Sequence, residues 1–442
     1  RGAVFGGGGE APAAAPAGGR LVACRDVKAG EELLRLPAGA LVGPLEAEAA
    51  LGGRLPPLEP WVGLALFLIR ERNRARGSPL ADYIEELDGA GAGGAGAGLG
   101  SPLAWSEAEM GRLAGTQAGG LCAGYLTFLE QQWAQLQPAL DADRDFFPPD
   151  VFTLEAFRWA FAAVRSQLVP PCDGGADTAL VPAAALLGHS GRSTARLAWK
   201  GKGLFGGGER ALCLNADRPY RAGEPVEMNF GGEDKIDPQV LLDHGLWDRA
   251  SFCGGYALQL NLPEGDSYDD KVDTLELNGL SVSQTFPLRE GEPMPPELVA
   301  FLRLVNLGGE DAWLLEPVFR ETLWKEVLMF PVSEANEQSV CDSMTAYCRG
   351  LLSQYPPPIP GAGEGPRAEA AASVATGELA ALQGALDYFE GQRRRLPQLE
   401  YYQERRLRSL NLLDDDGEST YGTRPEDDPF FVAGQALDKL QG

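Results

Sequence analysis

A chain of 442 residues is long enough for two domains and too long for one ordinary core. Its hydrophobic fraction of 44% and its eight tryptophans mark a folded protein. With 38 basic against 63 acidic side chains the formal charge is -25, which disfavours nucleic acid and anionic membrane as partners and would attract a basic protein surface or tail.

The chain opens on Arg1 rather than methionine, which implies a preceding segment such as a removed targeting peptide. Residues 1–18 are glycine, alanine and proline with almost nothing to bury, and predict a flexible lead-in. From Arg20 two strand-like runs, LVACRDV and ELLRLP, flank a Lys28-Ala29-Gly30-Glu31 turn and predict a hairpin. Apolar residues at helical spacing from Trp61 to Arg74 predict a buried helix, whose run from Val62 to Ile69 is too short to span a membrane. SPLADYIEEL follows, then a low-complexity loop at 88–102 that is expected not to pack. Ser106 with Glu109 forms a capping box that starts the next helix. Helical runs continue over Leu126–Leu136 and Thr153–Leu168, with Trp159, Phe161 and Val164 facing a core.

Residues 181–249 hold the chain's only two histidines, His189 in GHS and His244 in DHG. Between them Tyr220-Arg221-Ala222-Gly223-Glu224 repeats the earlier lysine-alanine-glycine-glutamate turn and predicts a second hairpin, with Gly223 suited to positive φ. YALQLNLPEGD, KVDTLELNGL and SQTFPL then predict a strand-rich joint. PELVAFLRLVNLGG and NEQSVCDSMTAYCRGLLSQY predict helices, the second placing Cys341 and Cys348 on one buried face. Seven scattered cysteines without a C-x-x-C pair suit reduced, buried thiols. Residues 361–376 are expected to form a loose loop, followed by helices over GELAALQGALDYFEGQRRRL and EYYQERRLRSLNLL. The Gly206-Gly207-Gly208 run lacks a following lysine and serine or threonine, so it is no phosphate loop. The basic Arg393-Arg394-Arg395 run is expected to be a solvated helix face.

GHS, MNFGG and DHGLWD, in that order and spacing, resemble the end of the catalytic SET domain in plant lysine methyltransferases of the Rubisco large-subunit methyltransferase class. That family carries an N-H-S segment, a strand close to I-x-Y-G and a closing D-Y-G-F. SPLADYIEEL resembles a further family segment, and the helical C-terminal half resembles the family's substrate-binding domain. The resemblance implies an α+β fold: a β-rich SET domain over 19–249 with a helical insert at about 57–170, then an all-α substrate-binding-like domain over 250–413. The remainder, 414–442, is expected to be an acidic tail.

The resemblance also implies which residues bear the chemistry, and most of them are changed. The cofactor asparagine position is Gly188, while His189 and Ser190 remain. The strand tyrosine is Phe230, which loses the hydroxyl, and the D-Y-G tyrosine is His244. The family's E-G-x-G-L turn appears as Ala17-Gly18-Gly19-Arg20-Leu21, without its carboxylate, and an expected S-R pair is Ser166-Gln167. Cofactor-binding positions are thus Gly19, Arg20, Leu21, Gly188, His189 and Ser190, and transfer-site positions are Phe230 and His244.

Two functions follow. In the first the chain is a catalytically degenerate subunit of a chloroplast multiprotein complex, such as an import or transcription assembly. It would sit in the stroma, bind other protein subunits and need no cofactor. In the second it is an active S-adenosylmethionine-dependent protein-lysine N-methyltransferase in which His244 replaces tyrosine. Two histidines without a cysteine or carboxylate pattern imply no metal site.

Overall fold

The computed structural model describes residues 21–87, 100–167, 179–181, 186–190, 192–201, 210–231, 235–247, 252–355 and 365–398. The predicted lead-in, Gly19, Arg20, the triple glycine at 206–208, the helix over 400–413 and the tail all lie outside the described residues. The chain divides into two compact units: Arg1–Cys253 with Pro356–Ala375, and Gly254–Tyr355 with Thr376–Gly442.

In the first unit, β1 (Glu32–Pro37) is followed by α1 (Pro44–Leu51), α2 (Pro60–Arg74), α3 (Ala81–Leu87), α4 (Glu107–Met110), α5 (Gln117–Asp141) and α6 (Leu154–Gln167). Helix α2 buries every residue from Leu64 to Ile69, as expected of a helix that is apolar all round and wrapped by neighbours. It packs among residues of α1, α5 and α6, including Ala47, Leu129 and Phe157. Ser106 accepts from the Glu109 amide while Glu109 takes the Ser106 amide at 2.9 Å, so α4 starts on the expected capping box.

The strands β2 (Gly188–His189), β3 (Leu197–Lys200), β4 (Ala211–Asn215) and β5 (Glu227–Met228) precede α7 (Asp237–His244). β4 lies between β1 and β3, antiparallel to both, whereas β2 and β5 pair in parallel. Both glycine turns form, with φ of +83° at Gly30 and +82° at Gly223. In each, the glutamate reaches back to the amide three residues earlier: Glu31 to Lys28 at 2.7 Å and Glu224 to Arg221 at 2.9 Å.

The flanking runs do not close two separate hairpins. They pair with each other through Val27–Tyr220 and Val22–Pro225 bridges. The sequence repeat therefore encodes two turns on one ladder, one on either side of the Val27–Tyr220 bridge.

In the second unit, β6 (Gly255–Asn261) and β7 (Ser283–Arg289) pair antiparallel over seven residues, with α8 (Tyr268–Leu277) between them in sequence. The segment KVDTLELNGL, expected as strand, is largely α8. Its alternating pattern loses to a helical face on which Lys271, Thr274 and Leu275 are buried, with Asp269 and Asp270 favourable in the first turn. α9 (Pro296–Val305), α10 (Arg320–Thr322) and α11 (Glu334–Leu352) follow, and Cys341 and Cys348 are both buried as expected.

α12 (Pro366–Arg395) begins eleven residues before the predicted helical start, so the expected loop over 361–376 is helical from Pro366 onward. Proline is tolerated in a first turn and alanine is the best helix former, which outweighs the loop-like composition. Ala370, Ala371 and Val374 pack with Trp105, Leu113 and Leu241 in the first unit. Ala381, Leu382, Ala385 and Phe389 belong to the core of the second unit, with Phe301, Leu304 and Val340.

Candidate cofactor and transfer site

The parallel β2–β5 pairing brings the two halves of the site together. Gly188 N–H donates to the Val226 carbonyl at 3.0 Å and Ser190 N–H to the Met228 carbonyl at 3.1 Å. Leu21 joins the same ladder, donating to the Leu186 carbonyl at 2.8 Å and accepting from the Val226 amide at 2.9 Å. Leu21, Gly188, His189, Ser190 and Phe230 therefore meet at one end of the first unit.

His189 Nδ1 accepts from the Phe230 amide at 3.4 Å, and its Nε2 lies 4.0 Å from an Asp237 carboxylate oxygen at the start of α7. An amide can only donate, so Nδ1 is the acceptor and the ring N–H lies on Nε2, towards Asp237. The Phe230 ring stands 6.1 Å from His189 and 5.3 Å from His244, centroid to centroid, and so links the two histidines.

His244 ends α7, with Gly245 as a left-handed cap at φ +66°. The ring Nδ1 donates to the Ser166 carbonyl at 3.1 Å, while Nε2 is buried without a hydrogen-bond partner among the described residues. Burial pushes the imidazole down to about 4, partly offset by the Ser166 hydrogen bond. The helix C-terminus favours a cation by about 1 kcal/mol, whereas this shift corresponds to a penalty on the order of 3 kcal/mol, so desolvation wins. His244 at neutral pH is an uncharged ring presenting a bare acceptor on Nε2.

The neighbouring Asp243 carries the buried charge of this region. Its carboxylate takes Arg165 Nε at 2.7 Å and Lys235 Nζ at 2.7 Å. Burial acts to raise the Asp243 carboxyl, but the Arg165 and Lys235 cations outweigh it and hold it below the usual carboxylate range. Arg165 also donates to the Tyr125 hydroxyl at 2.7 Å and stacks over that ring at 4.3 Å. The consecutive pair Arg165–Ser166 on α6 thus clamps the consecutive pair Asp243–His244 on α7. Cys122, close to this cluster, is pushed up to about 12 by burial and remains a thiol.

A backbone contact fixes the end of α7 from the other side. A Cβ on Gly245 would overlap the Ser101 nitrogen and Gly100, and one on Gly100 would overlap the Gly245 carbonyl. Ser101 Oγ donates to the Leu242 carbonyl at 2.6 Å and Trp105 Nε1 to the Gly100 carbonyl at 2.7 Å. The expectation that 88–102 would not pack is therefore corrected at its end. Residues 88–99 lie outside the described residues, but Ser101 and Pro102 are buried.

Sequence reasoning singled out His189, Phe230 and His244, which the structure brings close together, but missed the Arg165–Asp243–Lys235 cluster. The available signal was a charge placed inside each of two apolar runs, FAAVR and VLLD.

The residues present do not fit S-adenosylmethionine in the manner the resemblance implies. Gly188 offers no side-chain amide, and any side chain there would begin 2.9 Å from Glu227 Cγ on the paired strand. His189 Nδ1 is already used by a backbone amide, and Phe230 has no hydroxyl. Among the described residues, no group of three or more metal-ligating side chains gathers around the two histidines or elsewhere.

Comparison with known proteins identifies the frame. The family described as Rubisco LSMT substrate-binding matches residues 263–380. The chain is 33% identical to the chloroplastic [fructose-bisphosphate aldolase]-lysine N-methyltransferase of Arabidopsis thaliana, over 92% of this chain and 84% of that one. It is 31% identical to the chloroplastic ribulose-1,5 bisphosphate carboxylase/oxygenase large subunit N-methyltransferase of Nicotiana tabacum, over 92% and 83%. A crystal structure of the SET domain of LSMT bound to lysine and AdoHcy superposes with a TM-score of 0.68 at 30% identity, covering 95% of this chain and 91% of that one. Both sequence and fold extend across the SET portion and the helical portion alike: this chain belongs to the Rubisco large-subunit methyltransferase-like family of SET-domain proteins.

Proposed function

We propose that this chain keeps the family's protein-binding architecture, has lost methyl transfer, and serves as a protein-binding subunit of an assembly in the chloroplast stroma. The observation that carries this reading is the combined exchange at Gly188, Phe230 and His244 within one connected cluster of residues. Methyl transfer to an amine is an in-line displacement whose rate comes from positioning and from donors aimed at the reacting groups. An amide replaced by hydrogen, a phenol replaced by phenyl and a second phenol replaced by imidazole remove those donors together. The chloroplast setting rests on the chloroplastic relatives in Arabidopsis thaliana, Nicotiana tabacum and Pisum sativum. A protein rather than nucleic-acid partner fits the net charge of -25.

Titration calorimetry of the full chain with S-adenosylmethionine and with S-adenosylhomocysteine tests this directly. No saturable heat is expected. Micromolar binding of either compound would overturn the reading.

One observation favours the other function, an active lysine methyltransferase: the buried, uncharged Nε2 of His244 is an acceptor with no partner among the described residues. In that case the ring would accept an N–H from the substrate amine. H244A would then abolish transfer of radiolabelled methyl groups to protein while leaving the fold intact, and retained turnover would exclude the role.

A further inference from the structure

We infer that the second unit carries a docking surface for a basic protein segment bearing a large apolar side chain. The surface is centred on Trp313 and Val318, an inference that rests on the protein-binding reading above. Trp313 is 52% exposed and Val318 75% exposed, two large apolar side chains five residues apart in a chain that buries most of its large apolar groups. They are presented on a braced knuckle. Trp313 stacks edge-on to Phe319 at 5.2 Å, and Asp311 accepts from the Ser333 hydroxyl at 2.5 Å. Arg320 is gripped by two carboxylates of α8, Asp273 at 2.6 Å and Asp270 at 2.5 Å. A single turn of π-helix, Leu323–Val327, follows directly, a rare conformation that is enriched where function constrains the backbone. Little ordering entropy would remain to be lost on binding.

The charge around the knuckle selects the occupant. Glu310, Glu316 and Glu321 are exposed beside the apolar pair in sequence; of the nearby cations Arg320 is neutralised by its two aspartates and Lys325 is exposed, leaving carboxylates in the majority. An apolar anchor point with a carboxylate rim complements a segment in which lysine or arginine surrounds a leucine or an aromatic residue. The patch lies within residues 263–380, outside the pocket of the first unit, so it operates whether or not a methyl group is ever transferred.

The test is fluorescence anisotropy of a labelled synthetic helix with one lysine face and one leucine face, titrated with the full chain at physiological salt. The substitutions W313S and V318S, singly and together, are expected to weaken binding, the pair by about tenfold or more. E316K with E321K should weaken it comparably and flatten its salt dependence. L45S, at a side chain 77% exposed in the first unit, should change nothing. A lysine–serine peptide of equal charge should bind at least about tenfold more weakly than the lysine–leucine one. Thermal midpoints separate lost docking from lost folding. If W313S unfolds, V318S and the charge reversals, which replace exposed side chains, carry the test alone. Equal binding by wild type and patch variants, or equal binding of the two peptides, would overturn the proposal. The calorimetric titration with S-adenosylhomocysteine is independent of these outcomes, so failure of the docking surface and failure of the pocket reading are told apart.

Discussion

Each unit buries an ionic cluster, and the two are finished differently. In the second unit Arg303 engages Glu337 through two parallel bonds of 2.6 and 3.1 Å, and its third nitrogen donates to the Leu328 carbonyl at 2.9 Å. Both side chains are under a tenth exposed. In the first unit Asp243 is equally buried, but its partners Arg165 and Lys235 are 28% and 31% exposed, and the adjoining His244 keeps a buried nitrogen with no partner among the described residues. The first arrangement closes on itself and is explained by folding alone. The second stops short at His244, and under the proposed reading that open end is what remains of a retained architecture whose reacting groups are exchanged.

Breaking the closed pair should cost most. E337A strands a buried guanidinium and is expected to lower stability by about 3–5 kcal/mol, read as a fall in the urea midpoint with faster amide exchange in α9 and α11. D243A leaves two cations that reach water, so a smaller loss of about 1–2 kcal/mol is expected, localised to α6 and α7. Equal costs would erase the distinction between the clusters.

The open cluster has a pH signature of its own. His244 titrates at about 4 in the folded chain against its ordinary 6.5, so between these values the unfolded chain binds the extra proton. Stability contributed here is full above pH 6.5 and is lost as pH falls towards 4, on the order of 3 kcal/mol across the window. Asp243, whose carboxyl is lowered, adds its own loss only as pH falls below the ordinary 3.8. H244Q should therefore flatten the difference curve between pH 6.5 and 4. An unchanged slope in denaturant titrations would show that the ring is not held neutral by burial.

How much of this was legible in the sequence depends on the distance over which the signal acts. GHS, MNFGG and DHG were legible as a frame because each is a local string, and the structure pairs the first two and links the third through Phe230. Helices α2, α6, α9 and α11 were legible because each has one dominant period. The start of α12 was not, because alanine and glycine clusters look alike in composition while differing by about 1 kcal/mol per residue in helix propensity. The Arg165–Asp243 bond joins residues 78 apart and leaves no periodic trace. The burial of Ser101 was hidden because it depends on a glycine at 245 letting two backbones touch.

That backbone contact gives the finest test of what holds the open cluster in place. Gly223 and Gly245 both have positive φ, +82° and +66°, so alanine at either carries the same conformational penalty of about 1 kcal/mol. At Gly223 an added Cβ would meet nothing within 4 Å, and G223A should cost no more than that. At Gly245 it would overlap the backbone of Gly100 and Ser101, so G245A should cost roughly 2 kcal/mol in total and loosen the Ser101–Leu242 hydrogen bond. Its effect should also reach His244, raising exchange at the end of α7 and moving the ring's titration back towards its ordinary value as water gains access. If G245A and G223A are equally mild, the end of α7 is held by the Arg165–Asp243 clamp alone, and the close glycine approach is incidental to the site.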